Sequence, residues 1–92
     1  MQLDINREPK KIDHNYISKI EEDSETKVVS LTGGLKGIYN PLLHWGKIVD
    51  LNTMTLVAEI STPITLSEKY EQTYLPRFKQ DYFTIAGYDV VE

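Results

Sequence analysis

This 92-residue chain has no cysteine. That absence rules out disulfide staples, thiolate nucleophiles and cysteine-ligated zinc, and it suits a reducing compartment. Long apolar runs are also missing. No stretch approaches the 18 or more apolar residues of a membrane span, and the opening "MQLDINREPKK" lacks the apolar core of a secretory signal, so a cytoplasmic protein without membrane contact is expected. Basic charge is in short supply. Ten Lys and Arg stand against fourteen Asp and Glu, for a net charge of −4, which argues against a nucleic-acid binder relying on phosphate neutralisation.

Catalytic and cofactor signatures are equally sparse. The two histidines, His14 and His44, have no HExxH-type spacing, and neither the Walker pattern nor GxGxxG occurs. The acidic run "EEDSE" lacks the glycine and distal glutamate of a calcium loop. The expectation is therefore no catalytic residue, no metal and no cofactor. An enzyme using His44 with Asp50 or a nearby carboxylate is kept as a rival reading, because a histidine titrates near neutrality.

Glycine is rare, and four of the five lie in "SLTGGLKGIYNPLLHWGK", together with the sole tryptophan. An anion-cradling loop would need its glycines to lead directly from a strand into a helix. Here the next expected helix begins only near Pro41. The stretch therefore reads as structural: Gly33, Gly34 and Gly37 turn the chain, and Asn40 and Pro41 start a short helix near 41–45 that Gly46 ends. Leu42, Leu43 and Trp45 then plug one end of a sheet.

What is present suffices for a core. The chain is 40% hydrophobic and 26% charged, with one tryptophan, six tyrosines and two phenylalanines, a globular balance in a single domain spanning 1–92. Met1, Leu3 and Ile5 alternate with polar residues as an edge strand, or a flexible arm over 1–12, that Pro9 interrupts. Ile12, Tyr16, Ile17 and Ile20 have helical spacing with Asp13 as a cap. The β-branched and aromatic content of "NYISKI" and "TKVVSLT" instead favours a hairpin, Tyr16–Glu21 with Lys27–Thr32. "KIVDL" and "MTLVAEIS" form the clearest hairpin, its turn held by the side chain of Asp50 or Asn52. Thr65 and Glu68 have capping-box spacing, and Leu66, Tyr70, Tyr74, Phe78 and Tyr82 recur every four residues, predicting a main helix kinked at Pro76. "FTIAGYDVV" closes as a strand with Gly87 at a bulge. The fold class is α+β: a small, curled antiparallel sheet of about five strands with one main C-terminal helix.

The segment "KYEQTYLPRFKQDYFTIAGY" carries six aromatics, four of them tyrosine. Three readings compete there: core packing, a tyrosine-rich protein interface, and a single-stranded nucleic-acid surface of rings and cations. The basic residues are matched by Glu68, Glu71 and Asp81, which weighs against nucleic acid. The function expected by exclusion is a small, non-enzymatic, regulatory protein-binding module, a modulator or inhibitor of a larger assembly. Its Lys-, Ile-, Asn-, Glu- and Tyr-rich composition suits a bacterial or mobile-element gene. Candidate partner-binding residues are Tyr70, Tyr74, Arg77, Phe78 and Tyr82, with Glu21, Glu22 and Asp23 as an acidic steering loop. A homodimer paired through Met1–Ile5 or the C-terminal strand is a further option.

Overall fold

The computed structural model describes residues 3–42, 45–62, 65–67, 72–74 and 77–91. The sheet grows from a meander whose strands carry β-branched and aromatic residues between tight turns. β3 (Lys27–Ser30), β4 (Lys36–Tyr39), β5 (Trp45–Asp50) and β6 (Thr55–Ser61) pair antiparallel in chain order. The N-terminal segment adds β1 (Asp4–Asn6) and β2 (Lys10–Lys11), both along the free edge of β6. The chain between them, with Pro9, breaks the pairing, since proline has no amide donor for a ladder. The result is an open six-stranded antiparallel sheet in the order β1-β6-β5-β4-β3, with β2 also on β6. With two helices the arrangement is α+β, and no described helix is long and apolar enough to cross a membrane.

Each face of the sheet carries one helical segment. On the first face, Ile48, Ala58 and Ile60 are buried under Phe78, Tyr82, Phe83 and Ala86, which lie on α2 (Asp81–Ile85) and its flanks. On the second face, Ile38, Val49 and Leu56 are covered by Ile12, Tyr16 and Ile20 of α1 (His14–Glu21) and its approach. Tyr39, Phe78, Tyr82 and Phe83 form an aromatic knot with ring centroids 5.2–5.8 Å apart. Two glycines let these rings reach the sheet. Gly37 lies under Phe83 and Gly46 under Phe78, where a Cβ would collide with the ring.

Several expectations need correction. Residues 14–21 form a helix, not a strand. The Asp13 carboxylate accepts the Tyr16 amide at 2.9 Å, and the Ile12, Tyr16, Ile20 stripe finds an apolar floor, so capping and tertiary burial outweigh local strand propensity. β3 accordingly pairs with β4 rather than with 16–21. No helix begins at Pro41. The Asn40 side chain accepts the Leu42 amide at 2.9 Å in a turn, and Trp45 already belongs to β5; Leu43 and His44 lie outside the described residues. Gly46 and Gly37 are thus strand residues under aromatic rings, while Gly33 and Gly34 have the positive φ expected of them, 79° and 76°.

The main helix expected here, kinked or divided at Pro76, is not formed by the described residues from Thr65 to Gln80. β7 (Thr65–Ser67) pairs antiparallel with β8 (Gln72–Tyr74), and among the described residues of this segment helix forms only at Asp81–Ile85. Threonine in both short strands and tyrosine in β8 favour extended backbone over the four-residue aromatic period. Glu68, Tyr70 and Pro76, hence the capping partner and the kink, lie outside the described residues. The closing segment is helix and turn rather than strand. Gly87 (φ 98°) follows the end of α2, and only an isolated Leu31–Val90 bridge joins the tail to the sheet.

Candidate functional site

α1 covers only part of the second face, and next to the covered part lies a trough. β-strand side chains alternate between faces, so the register fixes which residues share it. Trp45, Ser61 and Asp4 stand opposite one another in one row across β5, β6 and β1; Lys47, Glu59 and Asn6 form the next. These six residues, with Leu3, Ile5, Gly46 and Ile60, line a cavity of about 460 Å³. Ser61 is the smallest side chain of the grid, so the first row has a low middle between an indole and a carboxylate.

The second row is electrostatically closed. Lys47 Nζ donates to Glu59 Oε1 at 2.8 Å, the one ion pair among the described residues. The same ammonium lies 5.4 Å from the centroid of the Trp45 ring and 5.8 Å from that of Tyr16 on α1, so an acid and two aromatic rings hold it. Burial alone would lower the Lys47 pKa. The hydrogen bond to Glu59, with contributions from the neighbouring Tyr16 and from the Glu59 charge, outweighs burial and raises it. The Lys47 hydrogen bond holds the Glu59 carboxyl below its ordinary value against a smaller opposing effect of burial, and Lys10 adds to the depression.

Those directions set a pH window. The depressed Glu59 stabilises the fold above the ordinary glutamate pKa of about 4.3, and that gain is lost as pH falls through its lower folded value. The raised Lys47 stabilises below the ordinary lysine pKa of about 10.4, and that gain is lost as pH rises through its higher folded value. Both groups are partly exposed, which limits the pair to about 0.5 kcal/mol. In urea titrations, Glu59→Gln is expected to be less stable than wild type by roughly that amount at pH 7. The difference should vanish once the pH is well below the ordinary glutamate value. A gap that stays constant down to pH 2.5 would show that the ion pair does not cause it.

The residues singled out from the sequence are dispersed. Phe78 and Tyr82, at 1% and 4% exposure, belong to the core rather than to a surface, while Arg77 is exposed beside them. Tyr70 lies outside the described residues, and Tyr74 stands on β8. Glu21 ends α1, and Glu22 follows it, exposed. Asp23 has structural partners: its two carboxylate oxygens accept the Glu25 amide at 2.9 Å and the buried Asn40 side chain at 3.0 Å. Among the described residues no group of three or more His, Asp or Glu could hold a metal ion.

Sequence reasoning passed over the trough because its six residues come from three separate strands. The alternation in "WGKIV" places Trp45 and Lys47 on one face, and that signal was legible. Its alignment with Glu59 was not, because it depends on a register shift. No family model matches the chain, and neither a curated protein nor a solved structure does.

Proposed function

We propose that this protein is a non-enzymatic binding module for another protein, with the trough on β5, β6 and β1 as its contact surface. One observation supports this above the others: the sole tryptophan is half-buried in the wall of an open, charge-rimmed cavity instead of in either core cluster's centre. Tryptophan is among the side chains enriched at the energetic hot spots of protein interfaces, where binding of a partner completes its desolvation. Glu21, Glu22 and Glu25, exposed at and beyond the end of α1, add a negative field that speeds encounter with a basic partner and fades with salt. This reading takes residues 1–92 as a single domain, working in the cytoplasm as a modulator of a larger assembly.

The test is photo-crosslinking from inside the trough. A benzophenone amino acid at Asn6, an exposed residue on the trough wall outside the Trp45–Ser61–Asp4 row, is expected to trap a discrete partner in cells of the source organism, and the same group at exposed Leu51 is expected to trap none. A self-crosslink would replace the reading with a homodimer. Absence of any product at Asn6 in a folded variant would end it.

A further inference from the structure

The trough already holds one cation, the chain's own Lys47 ammonium, between a carboxylate and aromatic rings. Beside it the first row shares the Trp45 indole with Lys47 and adds a second carboxylate, that of Asp4. Trp45 forms one wall and Asp4 the other, with the Ser61 hydroxyl between them. Two strand spacings separate Trp45 from Asp4, about 10 Å between Cα atoms, which admits one side chain once the indole is in place. The charges nearby are accounted for in turn. Lys47 is neutralised by Glu59, and Lys10, in register with Leu56, pulls on Glu59 from the next row. Asp4 has no ion pair or side-chain hydrogen bond among the described residues, so the charge that those residues leave open at this end is negative.

We propose that the Trp45–Ser61–Asp4 row is a receptor for a single guanidinium or ammonium group, presented by an arginine or lysine of a partner's basic segment. The cation lies against the indole, donates to the Asp4 carboxylate and the Ser61 hydroxyl, and is drawn by a protein of net charge −4. The inference rests on the protein-binding reading and adds the chemistry of the partner. Lys47 is a built-in competitor, because its ammonium occupies the indole and Glu59 that an incoming cation would also use.

Trp45 is the only tryptophan, so its fluorescence reports on the site directly. The probes are acetylated and amidated heptapeptides alternating glycine with arginine, lysine or glutamate. Saturable change is expected with the arginine and lysine peptides, weakening as salt rises, and none with glutamate; comparing the two basic peptides identifies the preferred cation. Asp4→Asn is expected to weaken binding at least tenfold, the loss of one charge-assisted hydrogen bond. Lys47→Gln is expected to tighten it severalfold by freeing the indole and Glu59. Thermal melts verify that both variants fold. An equal response to the glutamate peptide, no saturation below millimolar concentration, or an Asp4→Asn variant that binds like wild type would overturn the proposal. A partner trapped equally by Asp4→Asn would overturn it while leaving the protein-binding function standing. Peptide binding without any trapped partner would instead sink the protein-binding reading and keep the cation site.

Discussion

Phe78→Ala is expected to destabilise the fold by about 3–5 kcal/mol, a large share of the roughly 5–15 kcal/mol that holds a domain together. Phe78 is 1% exposed, and its ring meets Tyr39, Tyr82 and Phe83 at centroid distances of 5.8, 5.2 and 5.3 Å. Removing it opens a hole that three aromatic neighbours cannot fill without leaving their rotamers, so the cavity adds to the lost transfer energy. At roughly 4–8 °C per kcal/mol for a domain of this size, the melting temperature should fall by well over 10 °C. The exposed neighbour supplies the control: Arg77→Ala should stay within about 0.5 kcal/mol of wild type. Urea denaturation followed by circular dichroism reads both. A Phe78→Ala protein within 1 kcal/mol of wild type would mean that the ring is not a core element. It would return Phe78 to the surface role it has as a candidate partner-binding residue.

Gly46→Ala should act in the opposite steric sense at the same contact. Glycine in a strand interior is normally a weakness, and replacing it with alanine ordinarily gains about 0.4–1 kcal/mol by restricting the unfolded chain. Here the sign reverses. The ring of Phe78 lies directly on Gly46, where a methyl group would occupy its space. The aromatic knot holds that ring in place, and overpacking should exceed the entropic gain, for a net loss of about 1–3 kcal/mol. Gly37 beneath Phe83 presents the same constraint, with a Cβ falling 2.9 Å from two ring carbons. The decisive measurement is a double-mutant cycle with Phe78→Leu, a smaller side chain. The double variant should be more stable than the sum of the single effects by at least about 0.5 kcal/mol, because each change relieves the other. Strict additivity, or a neutral Gly46→Ala, would refute the contact.

How much of this was legible beforehand depends on whether a feature is local. The β5–β6 hairpin could be read directly, because alternation and an aspartate-led turn are properties of adjacent residues. Asp50 accepts the Asn52 amide at 2.9 Å in the turn as its side-chain chemistry implies. The positive φ at Gly33 and Gly34 was legible for the same reason. The segments that misled were those with two compatible periods. "NYISKI" carries β-branched residues at helical spacing, and only the apolar floor of Ile38, Val49 and Leu56 decides for helix. The aromatics from Tyr70 to Tyr82 have a four-residue period, yet 72–74 is strand and Phe78 reaches the core from a non-helical stretch.

Composition by itself determined the classes this protein does not belong to on chemical grounds: no thiol chemistry, no cysteine-bound zinc, no broad basic footprint. Local pattern determined the central hairpin and its turn. The trough was decided by tertiary structure alone, and the physical reason is one residue. A four-residue turn closing Asp50 onto Thr55 would, with regular pairing, set Lys47 opposite Ala58 and leave Glu59 on the other face. The register slips between Ile48 and Val49, so that Ile48 meets Ala58 while Val49 meets Leu56, and Val57 is the extra residue. A bulge of this kind reverses the facing of everything beyond it. It carries Ala58 and Ile60 under the aromatic knot, sets Glu59 across from Lys47, and lines Ser61 up between Trp45 and Asp4.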